Sequence, residues 1–440
     1  MIRIPSNEIK QPQLHADSLG FTFLWKGHFL RGIYPQSEGL AKSYFETGFL
    51  DEIVSCGYFP KTWISEYENE QFCMILEHEL IQPIMFATEW NFSMLKGAAL
   101  MVLDIAQIAW WYGYNMVDCH KLNVMFKGTE PVYVDMGSFV PREDGCSGWL
   151  PYMTFLSSYF YIIDLWSDGA EQLAKRMMAP GVTFNDIDYY IYKSFLCRRF
   201  PALASLRLCF KTNLVRLASS STEKIEQKTH SVSNRVEAFL LKFFHQCVCS
   251  LKLSPSQHLP SLYRKIERKK TIRYDRNKGA LVNISEVQDV IERMGTQSSI
   301  TFIDSPIEIW REVCKGSQKV ISIQQNPKVS DVEYQKIRTF GDSHFTTASI
   351  YLLNGAITIP GKLPESRLSS DLVAILGYRI PSGTFGIHNA IVFFERCRSF
   401  STSGKMIVNV SNCTEAQKET LLNSFFTENI GDTFILNTIR

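Results

Sequence analysis

This chain of 440 residues has little surplus charge of either sign: its formal net charge is +2, and 20% of its residues are charged. Bulk attraction to nucleic acid or to an anionic membrane therefore has no electrostatic source, and neither partner is expected. A cysteine framework is also missing. The 11 cysteines stand singly apart from Cys247-Val248-Cys249, an odd count without the spacing of a disulfide scaffold or a zinc site, which predicts free thiols in a reducing compartment. The opening Met1-Ile2-Arg3-Ile4-Pro5 holds no apolar core of signal-peptide length. The most apolar helical stretch, Ala98 to Gly113, contains Asp104 and Gln107 and falls short of a comfortable bilayer span. Together these absences predict a cytoplasmic protein. With 45% hydrophobic residues, the chain can bury two or three separate cores.

What is present centres on residues 118 to 138. Asp118-Cys119-His120-Lys121-Leu122-Asn123 runs into the apolar Val124-Met125-Phe126, and Lys127-Gly128-Thr129-Glu130 reverses the chain. Pro131-Val132-Tyr133-Val134 then delivers Asp135-Met136-Gly137-Ser138. An acid, four intervening residues, an amide and a hairpin ending in Asp-x-Gly is the layout of a kinase catalytic loop and its metal-binding successor. In that layout Asp118 orients or deprotonates the attacking hydroxyl, while Asn123 and Asp135 supply the hard oxygens that magnesium demands against ATP phosphates. The His or Arg usual before the catalytic acid is absent, since Asn115-Met116-Val117 stands there. Asp and Asn also favour turns, so a purely structural hairpin is the competing explanation.

Phe21 to Tyr34 reads as two short strands around Lys26-Gly27, and Ser37 to Glu46 as a helix with Ser37 at its N-cap. Lys61 to Ser65 and Phe72 to Leu80 read as further strands, giving an expected small lobe of five strands and a helix. Lys26 is the nearest candidate for the phosphate-binding cation, Arg31 is the alternative, and Glu46 could be its helix partner. Trp90 to Tyr112 has the apolar spacing of a buried helix, and the aromatics from Trp149 to Trp166 are expected to pack rather than stack on bases. Helical patterns continue from Asp186 through Phe244. A turn-rich break at Ser254–Pro260 and a basic run from Arg264 to Arg276 follow, the latter expected as a solvated connecting helix.

From Ser299 strands and helices alternate. Strands are expected at Ile300–Ile303, Lys319–Ile323, Ile350–Ile359, Leu372–Leu376, Lys405–Val410 and Thr433–Leu436. Helices are expected at Pro306–Cys314, Val332–Arg338, His388–Phe400 and Glu415–Phe426. That alternation predicts a parallel, doubly wound sheet. Its first strand-to-helix turn, Asp304-Ser305-Pro306, has no glycine for the close approach of a cofactor, and Gln324 stands where an acid would grip ribose hydroxyls. Gly341-Asp342-Ser343-His344 shows a serine without a partner constellation.

Several landmarks together resemble the NoeA-type host-specificity nodulation proteins and related bacterial S-adenosylmethionine-dependent methyltransferases. They are Glu89-Trp90, Met94 to Leu100, Gly113, Asp118-x-His120-x-x-Asn123-Val124-x-Phe126, Pro131 to Asp135, Gly137-Ser138-Phe139, and Trp149 with Tyr152 and Phe155. Further on, Arg367 with Ser370-Asp371-Leu372-Val373 matches the family's fourth-strand region, and His388 stands near a family histidine. The resemblance implies methyl transfer from S-adenosylmethionine, with Asp304, Gln324 and Asp371 at the cofactor positions. It departs from the family at the Asp304 turn, where the family's Asp-x-Gly has become Asp-Ser-Pro.

The expected fold is thus α/β: a kinase-like, two-lobed α+β domain over residues 1–250, a helical and basic linker over 251–298, and a degenerate methyltransferase-like Rossmann domain over 299–440. The resemblance implies a transferase modifying a small molecule or oligosaccharide. The alternatives are a phosphotransferase or ATP-binding pseudoenzyme with a scaffold sheet, and a non-catalytic binding protein with a protein partner.

Overall fold

The computed structural model describes residues 2–10, 17–143, 149–182, 184–192, 255–270, 282–295, 297–314, 318–340, 345–349, 352–353, 356–357, 368–376 and 384–439. The helical patterns expected after residue 192, the Cys247–Cys249 pair, the end of the basic run, the Gly341–His344 turn and Arg367 lie outside these residues. The chain divides into two compact units, one of residues 1–80, 96–124 and 131–272, the other of 81–95, 125–130 and 273–440.

In the first unit, β1 (Gly20–Trp25) and β2 (His28–Ile33) form a hairpin. Lys26 and Gly27 close it with φ of 47° and 89°, the left-handed pair that matches the twist of the flanking strands. Helices α1 (Glu38–Glu46) and α2 (Phe49–Ser55) follow, then β3 (Thr62–Ile64) and β4 (Met74–His78). The sheet is antiparallel with order β1-β2-β4-β3. Period-two alternation turns Phe21, Phe23 and Trp25 onto Leu30, Phe72 and Ile75 in one core. The expected five-stranded lobe is therefore four strands, with Ile2–Arg3 and Tyr67–Glu68 paired in a separate ribbon. Ser37 does not cap α1 with its side chain; its hydroxyl donates to Ser18 O at 2.8 Å.

Helix α3 (Phe92–Trp111) is long and apolar enough to cross a membrane by length and composition, but 67% of its most apolar window is buried inside the protein. Ala98, Ala99, Val102 and Ala109 are fully buried, as expected for a core helix. The aromatics Trp149, Phe155, Tyr159 and Trp166 are buried too, which bears out packing as their use. After α3 come β5 (Tyr114–Met116), β6 (Val124–Lys127), β7 (Glu130–Tyr133) and β8 (Phe139–Pro141). Strands β6 and β7 pair with each other, and β5 pairs antiparallel with β8. Helix α4 (Pro255–Glu267) belongs to this unit.

The second unit holds α5 (Ile284–Arg293), β9 (Ser299–Ile303), α6 (Ile307–Val313), β10 (Lys319–Gln324), α7 (Pro327–Phe340), β11 (Phe345–Ser349) and β12 (Leu372–Ile375). It continues with α8 (Thr384–Arg398), β13 (Met406–Asn409), α9 (Glu415–Ser424), β14 (Phe425–Ile430) and β15 (Thr433–Ile439). Seven strands form one sheet in the order β11-β10-β9-β12-β13-β15-β14. The first five run parallel, and β15 and β14 close the edge antiparallel. Counted along the chain, the parallel part reads 3-2-1-4-5, a doubly wound order with its switch point between β9 and β12. Ile300, Phe302, Leu372, Ala374 and Ile407 face Val290, Trp310 and Ile337 in one core. The alternate residues Ile303, Val373, Ile375 and Met406 are equally buried, as in a sheet covered on both faces.

The third strand is not at Ile350–Ile359 but at Phe345–Ser349, and Leu352–Leu353 pairs with Ala356–Ile357 in a small hairpin. The threonines of Phe345-Thr346-Thr347-Ala348-Ser349 hid a buried strand from a hydrophobicity reading. Helix α7 begins five residues before its expected start, at Pro327, with Asn326 Oδ1 accepting from Lys328 N at 3.0 Å. Still within the second unit, α7 holds the segments 81–95 and 125–130. Tyr334 donates to Thr129 O at 2.6 Å, Asn91 Nδ2 to Ser330 O at 3.2 Å, and Ser93 N to Asp331 Oδ1 at 2.6 Å.

Candidate functional site

Two short connections build the site in the first unit. After β5, Asp118 Oδ1 accepts from His120 N at 3.1 Å, an Asx turn that starts the 3-10 turn Lys121–Asn123. After β7, Asp135 Oδ1 accepts from Gly137 N at 3.1 Å and so caps the turn Met136–Ser138. Backbone bonds lock the two connections together: Val134 N donates to Asn123 O at 2.9 Å, and Val117 N to Ser138 O at 2.8 Å.

The three predicted residues meet there. Asn123 Nδ2 donates to Asp118 Oδ2 and to Asp135 Oδ2, each at 3.2 Å. Tyr133 braces the group, its hydroxyl 2.9 Å from Asp118 O and 2.7 Å from Ser138 Oγ, and Ser138 donates in turn to Asp135. Burial pushes the Asp135 carboxyl above its ordinary range, against the opposing pull of the Ser138 hydroxyl and the Arg31 guanidinium. Burial likewise lowers the Lys121 ammonium.

Two carboxylate oxygens thus converge on one amide nitrogen. Rotating the Asn123 amide by half a turn would present Oδ1 instead, giving three hard oxygens that fit magnesium, which typically takes one or two protein carboxylates and completes its shell with phosphate and water. Among the described residues, no group of three or more His, Cys, Asp or Glu could hold a metal ion. Cys119 is fully buried and His120 is half exposed, which separates the two as ligands. His120 Nδ1 instead lies 3.1 Å from Asp118 Oδ2.

Lys26 stands at the hairpin turn with its ammonium 4.5 Å from the Trp25 ring centroid, and no contact ties it to the three residues. The cation that acts on Asp135 is Arg31 on β2, almost wholly buried and paired with Asp17. Glu46, at the exposed end of α1, is not that partner. Tyr133 and Ser138 stand among the landmarks of the resemblance without a role assigned to them, and Asp17 is not among them. Asp17 carried no signal, because nothing in its spacing marks a partner 14 residues away.

The three positions in the second unit do not come together. Asp304, in the turn after β9, has φ of 48°, and its carboxylate accepts from Gln325 N at 2.9 Å and from the Gln325 side chain. Gln324 is buried, donating to Ser305 O at 3.0 Å and to Glu333 Oε1 at 2.9 Å. Ser305 is also buried and accepts from Leu376 N at 2.8 Å. Asp371 sits at the opposite end of the sheet, accepting from Ser298 Oγ at 2.6 Å, Ser298 N at 2.8 Å and Ser299 N at 3.1 Å. The length of β9, about 16 Å, separates Asp371 from the Asp304 turn. The Ser298 hydroxyl and the two amides hold the Asp371 carboxyl below its ordinary range. Ligands of such sheets bind at the carboxyl ends of the strands, where Asp371 is not.

No family model matches the chain. A curated relative, nodulation protein NoeA of Rhizobium meliloti (strain 1021), is 35% identical over 71 residues, which is 16% of this chain and 15% of the relative. Among solved structures, magnesium protoporphyrin IX methyltransferase from Synechocystis PCC 6803 with bound SAM is 14% identical, covering 35% of this chain and 76% of that one with a TM-score of 0.26. A sugar N-methyltransferase from Streptoalloteichus sp ATCC 53650 is 11% identical, covering 32% and 57% with a TM-score of 0.22. The chain is similar to a short stretch of NoeA and spans only 15% of that relative's length.

Proposed function

We propose that this protein is a transferase whose first unit binds magnesium and ATP and passes a phosphoryl group to a hydroxyl of a small molecule or oligosaccharide. The observation that carries this reading is the convergence of Asp118 and Asp135 on Asn123. Asp118 would accept the proton of the attacking hydroxyl as the new oxygen–phosphorus bond forms and the β–γ bridging bond breaks, leaving ADP. His120, 3.1 Å from Asp118, would orient that carboxylate. Asn123 and Asp135 would hold the metal, which when bound neutralises phosphate charge, and Arg31 would supply the second positive charge. The six described cysteines are free thiols, which suits the cytoplasm.

The test is a thermal-shift titration. Saturating ATP with magnesium should stabilise the protein, by about 2.7 kcal/mol at a hundredfold excess over Kd, and Asp135→Ala should abolish the effect. No shift in the unaltered protein would end this reading.

A second reading, methyl transfer from S-adenosylmethionine in the second unit, draws on the doubly wound strand order. A thermal shift with S-adenosylmethionine that disappears in Asp304→Ala would establish it.

A further inference from the structure

The Arg31–Asp17 pair, taken with Gly137, carries one step beyond the phosphotransfer reading on which it rests. Arg31 has 6% of its side chain exposed, and Asp17 has 24%. A buried guanidinium requires an oxyanion partner. Asp17 meets that need with one oxygen while the other accepts from Leu19 N at 2.9 Å. The pairing is incomplete, because Arg31 Nε is buried with no hydrogen-bond partner. The Asp17 carboxylate also lies against Gly137, two residues beyond Asp135. A Cβ on Gly137 would stand 2.3 Å from Asp17 Oδ1, and the backbone of Gly137 is not in the left-handed region. Glycine is required there for space, and Asp17 fills that space.

We infer that Asp17 occupies a phosphate subsite, and that a triphosphate displaces it to pair with Arg31. Carboxylate and phosphate each present a pair of oxygens to the same guanidinium fork, and phosphate offers enough oxygens to engage Nε as well as the terminal nitrogens. The contact is therefore an internal brake on nucleotide binding. Removing the charge of Asp17 leaves Arg31 free to take the ligand at once, whereas removing Arg31 leaves nothing to take it.

The experiment titrates ATP with magnesium, and separately inorganic tripolyphosphate with magnesium, into the unaltered protein, Asp17→Asn and Arg31→Gln. Asp17→Asn should bind both ligands about tenfold tighter than the unaltered protein, and Arg31→Gln should bind neither. Equal or weaker binding by Asp17→Asn, with binding by the unaltered protein intact, overturns this inference and leaves the phosphotransfer reading standing. Binding by none of the three ends both. Should Asp17→Asn fail to fold, hydrogen exchange on the unaltered protein decides. The Leu19 amide should exchange faster once ATP and magnesium saturate the site, and unchanged or slower exchange overturns the inference.

Discussion

The polar side chains differ in arrangement between the hairpin of the first unit and the strand ends of the second. Around Asp135 two carboxylates share one amide nitrogen, and burial pushes one of these acids above its ordinary range. At the carboxyl ends of β9 and β10 the groups satisfy one another. Gln324 spends its amide on Ser305 and Glu333, Ser322 donates to Glu333 at 2.7 Å, and Asp304 is taken by Gln325. Buried polar groups that pair with one another stabilise a fold, while a buried acid with a shifted pKa beside a second carboxylate is a candidate functional site. The converging acids of the first unit therefore make it the stronger candidate site.

Four substitutions bear on this contrast, in decreasing order of effect. Asp118→Asn should leave binding of ATP with magnesium in place but lower the rate of transfer by roughly 100- to 10,000-fold, the usual contribution of a general base. A coupled assay of ADP release checks it, and an unchanged rate would remove Asp118 from the chemistry.

Glu333→Ala should destabilise the second unit by ~2 kcal/mol, because it strands the buried Gln324 amide and Ser322 hydroxyl. Urea unfolding measures the loss. A loss near zero would mean that the interior of the sheet is open to solvent or ligand rather than self-satisfied.

Asp135→Asn should abolish the response to nucleotide and yet raise or preserve thermal stability at neutral pH. The sign follows from linkage. With its folded-state pKa raised, the native state holds the proton between the unfolded and folded values, so stability falls as pH rises through that window. The penalty grows as pH rises through that window, and amidation removes it. Unfolding midpoints at pH 7 and pH 4 separate this outcome from a simple structural loss, which would lower both.

Asp371→Asn should have the smallest effect and the opposite pH dependence. Its folded-state carboxyl is depressed, so its contribution is present above about pH 4 and lost as pH falls through the folded value. The variant should therefore match the unaltered protein in acid and fall slightly below it at neutral pH. A change in S-adenosylmethionine binding would instead return Asp371 to a ligand site.

The spacing of Asp118, Asn123 and Asp135 could be read from the chain because a turn and a hairpin are local, and local geometry is written in neighbouring residues. The same holds for the alternating elements after Ser299, whose periodicities distinguished most strands from helices. Where that reading missed, at Phe345–Ser349, polar threonines occupied a buried edge strand, and only pairing with β10 could declare them buried.

What the sequence by itself determined is the set of short-range devices: the Lys26-Gly27 hairpin turn, the Asx turn at Asp118, the buried helix α3 and the order of elements in the second unit. What only the tertiary structure decided is which distant groups share a neighbourhood. Arg31 rather than Lys26 faces Asp135, Asp17 holds Arg31, and Asp371 lies at the far end of the sheet from Asp304. Side-chain pairing across strands depends on register and on which end of a strand a residue occupies, and neither is encoded in the residues at one position.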